Sequence, residues 1–375
     1  MRIEIGKIKE YDFNKIYDFL EKSAEKSQLW EKLATAKTIL IKPNLLGAYP
    51  IERAVTTNPV VLDAVITLLK AHDKEVWIGD SPGGTVSIDK VWNSTKIADL
   101  VDKHQIRLLN FHEGKVKMCQ SENHQYPTTD YFWQADAVIN VCKYKTHSLM
   151  YYTGAVKNLY GLIPGLKKSD FHKNNPKLDD FSSVISELYN CVKEKIVWNI
   201  MDGIIGMEGE GPSAGDPRNF GLVFTSESAS ALDYIASGMM GFTTQQLQYV
   251  AAALAFDNLT PEKLEIDDEW KRFRFENVKI TKVSFLIKFM SYSPKFVQDL
   301  FKKYYYYYPD FNDQCRKCRI CVDSCPVEAM VLNPGDDHPT IDHDKCIKCM
   351  CCHEMCPYQA VYIHKSALAK RILKG

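Results

Sequence analysis

The stretch CIKCMCCHEMCP, from Cys346 to Pro357, holds five cysteines within twelve residues. An upstream stretch, CRKCRICVDSCP, spaces Cys315, Cys318, Cys321 and Cys325 as C-x2-C-x2-C-x3-C-P. The second stretch repeats that spacing with Cys346, Cys349, Cys352 and Cys356, and leaves Cys351 outside it. Two runs of four thiols at this spacing predict two metal centres with cysteine ligands.

The doubled spacing is typical of bacterial ferredoxins, in which the fourth cysteine of each run ligates the other 4Fe–4S cluster. It predicts one cluster on Cys315, Cys318, Cys321 and Cys356, and a second on Cys346, Cys349, Cys352 and Cys325. We predict that Cys351 is not a ligand, because it lies one residue outside the frame. A zinc ribbon would need only two cysteine pairs. Disulfides would need an oxidising compartment, which nothing else in the sequence indicates.

The remaining composition is that of an ordinary globular protein. The 375 residues are enough for two or three domains. Lysine plus arginine and aspartate plus glutamate both number 47, and this balance argues against a nucleic-acid partner. The N-terminus, MRIEIGKIKEYDF, carries charges where a signal peptide needs an apolar segment, and no window of about eighteen apolar residues exists. We therefore expect no transmembrane segment and a cytoplasmic location.

Up to about residue 280, short apolar runs alternate with amphipathic stretches. TILIKPN (Thr38 to Asn44) predicts a buried strand, and NPVVLDAVITLLKAH predicts a helix with Pro59 in its first turn. Further strands are predicted in KEVWIGD, IRLLNF, DAVINVCK, KIVWNIMDG and FGLVFTS, and further helices in FSSVISELYNCVKE and SALDYIASGMMG. Strands separated by helices of this length predict an α/β fold with a largely parallel, layered sheet.

The pattern changes at Val283, where an aromatic and basic stretch begins that includes five consecutive tyrosines, Tyr304 to Tyr308. Tyrosine is common at half-buried interfaces, so we expect these residues to pack a connector against both domains. We predict an α/β substrate or partner domain over residues 1–290, an aromatic connector over 291–309 and a small α+β ferredoxin-like domain over 310–375. The last of these is expected to end in a short basic helix, SALAKRILKG.

Polar residues follow three of the predicted strands. Ligands of open α/β sheets bind beyond the carboxyl ends of the strands, so these residues are candidates for a binding site. They are Lys42 and Asn44 in KPN, Asp80, Ser81, Gly83 and Gly84 in GDSPGG, and Lys143, Lys145, His147, Lys157 and Asn158 in KYKTHSLMYYTGAVKNLYG. The glycine pair matches no nucleotide-binding motif. Its backbone N–H groups can form an anion nest, and a simple turn explains the glycines equally well.

A fourth candidate is the glycine-rich stretch MDGIIGMEGEGPSAGDP, in which Asp202 is predicted to end a strand. Glu208 and Glu210 lie in the following loop, either as acid/base groups, as ligands of a hard cation, or as solvated carboxylates.

The lysines point to an anionic small molecule, because an ammonium is a compact charge suited to clamping a carboxylate or phosphate. Our candidate catalytic groups are His147, Lys157, Asp80 and Glu208. Our candidate substrate-binding groups are Lys42, Asn44, Ser81, Gly83, Gly84, Lys143, Lys145 and Asn158. His147 is expected to donate protons near neutral pH.

Together KPN, TNPVV, GDSPGG, KTHSLMYYTGAVKNLYGLIPG and MDGIIGMEGEGP resemble the domain of unknown function 362 family. Members often carry a C-terminal two-cluster ferredoxin domain, and the resemblance implies iron–sulfur binding and a redox role without naming a substrate. The stretch CKYKTH departs from the family, which more often has proline before the first lysine.

Two functions fit these features. The first is an iron–sulfur oxidoreductase, in which two 4Fe–4S clusters pass electrons from a partner protein to an anionic substrate bound in the α/β domain. The second is a non-catalytic adaptor, whose α/β domain docks a partner redox enzyme. A third possibility, that the clusters are purely structural, fits paired ferredoxin-type clusters less well. No flavin or nicotinamide motif is visible, so an additional organic cofactor stays an open question. Convergence of Lys143, Lys145, His147 and Lys157 on a concave pocket would favour the oxidoreductase.

Overall fold

A computed structural model describes residues 1–280 and 304–373 of the chain. Residues 1–280 form an α/β unit around a mainly parallel sheet of eight strands in the order β1-β10-β9-β7-β2-β3-β4, with β8 paired to β7. The strands are β1 (Ile3–Lys7), β2 (Thr38–Pro43), β3 (Glu75–Asp80), β4 (Arg107–Asn110), β7 (Ala137–His147), β8 (Tyr151–Thr153), β9 (Ile196–Glu208) and β10 (Asp216–Ser226). A separate hairpin consists of β5 (Val116–Gln120) and β6 (Gln125–Thr129). The predicted α/β class is confirmed.

Helices cover both faces of the sheet. They are α1 (Phe13–Lys26), α2 (Leu29–Lys32), α3 (Pro59–Ala71), α4 (Ile88–Ser94), α5 (Ala98–His104), α6 (Asp130–Gln134), α7 (Ala155–Asn158), α8 (Lys167–Asn174), α9 (Leu178–Val192), α10 (Ala229–Met240), α11 (Gln248–Phe256) and α12 (Asp268–Lys271). Short 3-10 turns span Ile51–Arg53, Leu159–Leu162, Lys193–Lys195 and Pro261–Lys263. The strand β2 shows how the layers form, since Leu40 faces one core while Ile39 and Ile41 face the other.

The helix α3 begins where the sequence predicts it. The Asn58 side chain accepts a hydrogen bond from the Val60 N–H at 2.9 Å, and Pro59 occupies the first helical position. An asparagine cap followed by proline is a favourable start, because it satisfies a free N–H and fixes the first φ angle.

The end of β9 differs from the prediction. We expected Asp202 to end a strand, but β9 continues to Glu208. The extension is stabilised by antiparallel pairing with β10, in which Asp216 lies opposite Glu208. The prediction was wrong because the glycines of this stretch suggested a loop, whereas Gly203 and Gly206 allow close packing beneath Tyr144.

The cluster module, residues 307–373, is a small α+β unit beside the carboxyl ends of the parallel strands. Its elements are β11 (Tyr307–Phe311), α13 (Ile320–Asp323), β12 (Met330–Val331), β13 (Thr340–Ile341), α14 (Cys351–Met355), β14 (Val361–Lys365) and α15 (Ala367–Leu373). Antiparallel pairs join β11 to β14 and β12 to β13.

The predicted connector lies partly outside the described residues, as does the predicted boundary at residue 290. Of its tyrosines, Tyr306 and Tyr308 stack with His364 inside the cluster module. The division at 290 and 309 stays a prediction. Among the described residues no helix is both long enough and apolar enough to cross a membrane. The cytoplasmic location also stays a prediction.

Candidate active site and cluster ligands

The structure gathers eight cysteines around two cavities in the cluster module. One cavity is lined by Cys315, Cys318, Cys321 and Cys356, which we call the first ligand set. The other is lined by Cys325, Cys346, Cys349 and Cys352, the second ligand set, and also by Cys351. Each cavity therefore combines three cysteines of one run with the fourth cysteine of the other run.

These thiols fit a 4Fe–4S cluster better than a single ion. Each thiolate of a cubane binds a different iron, so the ligands must surround a space instead of meeting at a point. The cysteines do surround the two cavities. Within the described chain, no three histidine, cysteine or carboxylate groups converge on a single-ion site.

The backbone around the two sets follows the same pattern twice. Lys317 and Arg319 in the first run have φ angles of 53° and 65°, and Lys348 and Met350 at the equivalent positions have 56° and 61°. Left-handed residues of this kind turn successive N–H groups inward, which forms the concave nests that many iron–sulfur sites use.

The fourth cysteines of the two runs also accept equivalent hydrogen bonds. The Ala329 N–H donates to Cys325 Sγ at 3.3 Å, and the Ala360 N–H donates to Cys356 Sγ at 3.2 Å. Such hydrogen bonds to cluster sulfurs tune the reduction potential.

A third cavity, of about 110 Å³, lies between the α/β unit and the cluster module, and we call it the junction cavity. Its charged lining groups are Lys42, Asp80, Lys145, Lys157, Lys168 and Glu354. Of the residues predicted from the sequence, it also brings together Asn44, Ser81, Gly83, Gly84 and Asn158. The carboxyl ends of β2 and β3 contribute most of these groups, as the sheet topology requires.

Lys42 and Asp80 form a buried ion pair on the floor of the junction cavity. Lys42 Nζ lies 2.8 Å from Asp80 Oδ1 and donates to the Pro43 carbonyl at 2.6 Å. Asp80 also accepts hydrogen bonds from the N–H groups of Ser81 and Leu45. Burial lowers the pKa of Lys42, and the charge of Asp80 opposes that effect. The pair fixes the ends of two neighbouring strands.

Gly161 permits that pair to form, and we expect Gly161→Ala to destabilise it. An added Cβ would lie 2.4 Å from Asp80 Oδ1 and 2.7 Å from Lys42 Nζ. Because both groups are buried, the expected cost in unfolding free energy is about 2 kcal/mol. Thermal and urea unfolding measure it. The matched control is Gly238→Ala in α10, where the nearest atom to the new Cβ is 3.9 Å away and no loss is expected. Equal losses of unfolding free energy in Gly161→Ala and Gly238→Ala would contradict the inference that Gly161 makes room for the Lys42–Asp80 pair.

A row of asparagines crosses the sheet below the cavity. Asn199 accepts from Asn140, which accepts from Asn158, and Asn158 accepts from the Asn44 amide at 3.0 Å. The last oxygen of the row, Asn44 Oδ1, has no hydrogen-bond partner among the described residues. A buried acceptor without a partner is costly, so this oxygen is available to a donor on a ligand.

The short helix α7 places Lys157 at the wall of the cavity. Its first N–H groups, those of Ala155 and Val156, donate to the Asp233 carboxylate of α10 at 2.6 and 2.9 Å. Gly154 lets the chain approach, because a Cβ there would lie 2.0 Å from Asp233 Oδ1. Burial raises the pKa of Asp233 to about 7, against the opposing effect of its hydrogen bonds.

Asp233 should therefore make stability depend on pH. Between about pH 4 and pH 7 the folded protein keeps this proton while an unfolded aspartate has lost it, so stability falls as pH rises. Between pH 5 and pH 8 the wild type is expected to lose about 2 kcal/mol relative to Asp233→Asn. Urea unfolding at both pH values measures this, with exposed Asp180→Asn as the control. The same pH slope in all three proteins would contradict the assignment.

Lys157 is the least neutralised cation of the cavity. Among the described residues its ammonium makes no hydrogen bond and no ion pair. Burial lowers its pKa, and Glu354 of α14 opposes that effect through its charge. Lys157 is half-buried, whereas Lys145 is fully buried and donates only to the Val55 carbonyl, at 2.7 Å. Burial and the neighbouring lysines hold the pKa of Lys145 well below its usual value. An anion in the cavity would stabilise the charged forms of both Lys157 and Lys145.

The structure does not bring Lys143 to the cavity. Lys143 Nζ lies 2.7 Å from Asp202 Oδ2, which is directly opposite it in the sheet, and 2.9 Å from the Tyr11 hydroxyl. Burial lowers the pKa of Lys143, while Asp202 opposes the shift. Lys143 is therefore a partner of Asp202 and does not line the site.

His147 lies behind the cavity wall. Its Nδ1 accepts hydrogen bonds from the N–H groups of Leu149 and Met150, so a neutral ring carries its proton on Nε2. Nε2 is 3.2 Å from Glu354 Oε1, without hydrogen-bond geometry. Burial, with Lys157 and Lys145, holds the pKa of His147 well below its usual value. The expected role as a proton donor near neutral pH is therefore not supported, because the ring is neutral there.

Glu208 and Glu210 are also placed away from the predicted chemistry. Glu208 pairs with Arg218 at 2.7 Å and accepts from the Lys279 N–H. Glu210 pairs with Lys365 of the cluster module at 2.6 Å. Neither residue lines the junction cavity. Both carboxylates instead hold secondary structure or the module in position.

Gly83 and Gly84 lie where the cluster module packs on the α/β unit. A Cβ on Gly83 would be 2.3 Å from Met355 Sδ, and Gly84 has φ of 68° with Ser324 Oγ 2.9 Å from its Cβ position. The module is also held by Ser213 and Tyr49, whose hydroxyls donate to the Glu354 carbonyl at 2.8 and 3.1 Å. The glycines therefore permit close docking as well as lining the cavity.

Sequence reasoning missed a second group of lining residues. They include Tyr160, Gly161, Lys168 and His172 from the α/β unit, and Ser324, Cys351, Glu354 and Met355 from the cluster module. Lys168 donates to the carbonyl and hydroxyl of Ser81, and burial lowers its pKa to about 7. The residues of the module could not be placed from spacing alone, because spacing shows the ligands but not the docking face.

Parts of this chain are similar to known proteins. A thylakoid-associated protein of Synechocystis sp. is 30% identical over 245 residues, which cover 62% of this chain and 75% of that protein. A protein from Thermotoga maritima matches in structure with 14% identity and a TM-score of 0.39, covering 66% of this chain and 59% of that one. The lactate racemase apoprotein from Thermoanaerobacterium thermosaccharolyticum matches with 14% identity and a TM-score of 0.36, covering 51% and 46%. The chain thus spans less than two thirds of either solved structure.

Two family models match the chain. The domain of unknown function DUF362 matches residues 39–238, which is more than half of the chain. A 4Fe-4S dicluster domain matches residues 314–360, the region of both cysteine runs. These matches confirm the family resemblance and the iron–sulfur domain predicted from the sequence. The chain therefore belongs to the DUF362 family and carries a C-terminal iron–sulfur domain of the 4Fe-4S dicluster type.

Proposed function

We propose that the protein is an iron–sulfur oxidoreductase, in which an anionic small molecule binds in the junction cavity and exchanges electrons with two clusters in the module. The observation that carries this proposal is the position of the cavity. Its floor consists of polar groups of the α/β unit, and its other wall is the cluster module itself, through Ser324, Cys351, Glu354 and Met355.

The charge of the lining supports an anionic ligand. Lys42 and Asp80 neutralise each other at 2.8 Å. Lys145, Lys157 and Lys168 then face a single further carboxylate, that of Glu354. Buried ammonium groups with lowered pKa values are stabilised by an opposite charge, so an anion is the ligand that this lining favours.

The residues of the chain have separate roles in this proposal. The two sets of cysteines hold the clusters, which supply single-electron transfer when bound. Lys157 and Lys145 bind the anionic group, and Asn44 accepts a hydrogen bond from the ligand. Lys168, with a pKa near 7, is placed to exchange a proton with the ligand. The docked module excludes water from the cavity, which strengthens each of these interactions.

The proposed partner is a protein that exchanges electrons with the outer side of the module. Cys318 of the first ligand set is exposed, whereas Cys321, Cys349 and Cys352 are buried. An exposed cysteine ligand is a suitable contact point for such a partner, because electron transfer falls off with distance.

Reoxidation of the reduced protein by fractions of a cell extract distinguishes this proposal from the alternative, a non-catalytic adaptor that docks a partner redox enzyme. The protein is reduced without oxygen and mixed with either the small-molecule or the protein fraction, while cluster absorbance is followed. Reoxidation by the small-molecule fraction is the expected result. Reoxidation by the protein fraction alone would contradict the oxidoreductase and favour the adaptor.

A further inference from the structure

The two cysteine cavities differ in the charges around them. Among the described residues, the cavity of the first ligand set is lined by Arg316, Lys317 and Arg319 and by no carboxylate. The cavity of the second ligand set has no charged lining residue in that part of the chain. The two runs share their cysteine spacing and their left-handed backbone positions, so cluster binding alone does not require this difference. The cations of the first run therefore need another explanation.

Equivalent positions of the two runs also differ in exposure. Cys318 is exposed, whereas Cys349 at the same position of the second run is buried. Arg319 is exposed, whereas the equivalent Met350 is buried. The second run lies on the inner side of the module, since Cys351 lines both its cysteine cavity and the junction cavity. The first run therefore forms the outer side of the module.

The cations of the first run are available to a partner. Among the described residues, the Arg316 guanidinium makes no hydrogen bond and no ion pair. Lys317 Nζ lies 3.6 Å from Asp337 Oδ1, and an Arg319 nitrogen lies 3.7 Å from Asp323 Oδ1. Both pairs join exposed side chains, and pairs of this kind contribute little because water screens them. Carboxylates of another protein can therefore replace both partners.

An exposed aromatic ring lies on the same surface. Tyr358 lines the cavity of the first ligand set and is 44% exposed. Tyrosine is enriched in protein–protein interfaces. Three cations are fewer than the roughly four to eight with which basic segments bind anionic membranes, so a protein is the favoured occupant. We call this surface the basic face, and its residues are Arg316, Lys317, Cys318, Arg319 and Tyr358.

We propose that the basic face docks a small electron-carrier protein with an acidic surface. Docking there brings the carrier to Cys318, the exposed member of the first ligand set. Attraction between opposite charges speeds the encounter of such partners and fixes their orientation. The inference rests on the proposed function for the electron exchange itself. In that exchange the carrier gives up one electron and is oxidised, the group held by the first ligand set is reduced, and no atom is transferred.

The test is the affinity of the full-length holoprotein for two purified carriers, an acidic two-cluster ferredoxin and basic cytochrome c. All proteins are oxidised, so calorimetric titration measures docking without electron transfer. Wild type is compared with the double variant Arg316→Glu with Lys317→Glu. The matched control is Lys345→Glu with Lys348→Glu, which makes the same change of charge at two exposed lysines beside Cys346.

We expect wild type to bind the acidic ferredoxin more tightly than cytochrome c at an ionic strength of about 0.01 M. The variant of the basic face should lose about tenfold or more in affinity for the ferredoxin, because like charges then oppose each other. The control should lose less than about twofold. The difference should vanish near 1 M salt, where the Debye length is only about 3 Å. Arg316→Gln, a milder change, should show a smaller loss in the same direction and replaces the double variant if that protein lacks iron or sulfide.

Equal affinities of wild type and the basic-face variants for the ferredoxin, or equal losses in the control, would overturn the inference. Tighter binding of wild type to phosphatidylglycerol vesicles than to the ferredoxin, lost in the basic-face variants, would overturn it in favour of a membrane surface. If the ferredoxin docks as expected but small molecules do not reoxidise the reduced protein, the oxidoreductase proposal fails and the basic face is supported. If small molecules reoxidise it but the ferredoxin does not prefer the basic face, only the present inference fails.

Discussion

Replacing Cys325 and Cys346 together with alanine is expected to remove one cluster and leave the other intact. Both cysteines line the same cavity although they come from different runs. Loss of two of four ligands should abolish that cluster, so iron and acid-labile sulfide should fall to about half of the wild-type content. The double variant Cys315→Ala with Cys325→Ala removes one cysteine from each of the two cavities. Its iron content should therefore be lower than that of the variant lacking Cys325 and Cys346.

A higher iron content in the Cys315, Cys325 variant than in the Cys325, Cys346 variant would contradict the assignment of each fourth cysteine to the cluster of the other run. If each run held its own cluster, Cys315 and Cys325 would share one, and their joint loss would leave about half of the iron. Cys351→Ala is the matched control, because it removes a neighbouring cysteine outside the predicted frame and should keep the wild-type iron content. Metal analysis and electron paramagnetic resonance of proteins purified without oxygen make the comparison.

Lys157→Met is expected to weaken anion binding in the junction cavity by about 10- to 100-fold. That range corresponds to the loss of one hydrogen bond to a charged group, about 1.5–3 kcal/mol. Methionine keeps a long side chain of similar shape. Stability should not fall, because the substitution removes a half-buried ammonium that has no hydrogen-bond partner among the described residues. Calorimetric titration with inorganic phosphate measures the affinity, and urea unfolding measures the stability.

Lys167→Met is the matched control for this variant. Lys167 is exposed at the start of α8 and does not line the cavity. It removes the same charge from the same region, so any general effect of net charge appears in both variants. Equal affinities in wild type and Lys157→Met would show that the anion does not bind at this wall.

The sequence predicted which residues lie at the carboxyl ends of β2 and β3, because strand ends are visible as apolar runs followed by polar residues. KPN and GDSPGG mark the ends of β2 and β3, and parallel neighbours place Lys42 and Asp80 side by side. The cysteine spacing was equally informative, since a fixed cluster geometry demands a fixed separation of ligands.

The sequence did not show which charges neutralise each other. Lys143 and Lys145 were expected to follow a strand and so to reach the ligand, but both lie within β7, which continues to His147. Only the register of β7 against β9 reveals that Asp202 lies opposite Lys143. Antiparallel pairing with β10 extends β9 to Glu208, which joins Arg218 in an ion pair. Long-range pairing of this kind leaves no local pattern.

The docking of the module was also invisible in the sequence. Glu354 stands inside a cysteine run and was passed over, yet its carboxylate reaches the junction cavity beside Lys157. Whether a residue between ligands faces solvent or a neighbouring domain depends on how two separately folded units pack. The glycines at 83 and 84, which were expected to serve an anion, show the same dependence through their contacts with Met355 and Ser324.

The most direct test of the central claim is single-turnover reoxidation of the reduced protein by the small-molecule fraction of a cell extract. The measurement compares wild type, Lys157→Met and Lys167→Met, each with the wild-type content of iron and sulfide. Rapid reoxidation of wild type and Lys167→Met, with a rate at least about tenfold lower in Lys157→Met, is the result that an acceptor bound in the junction cavity predicts. Equal rates in all three proteins, or no reoxidation of any by small molecules, would contradict it.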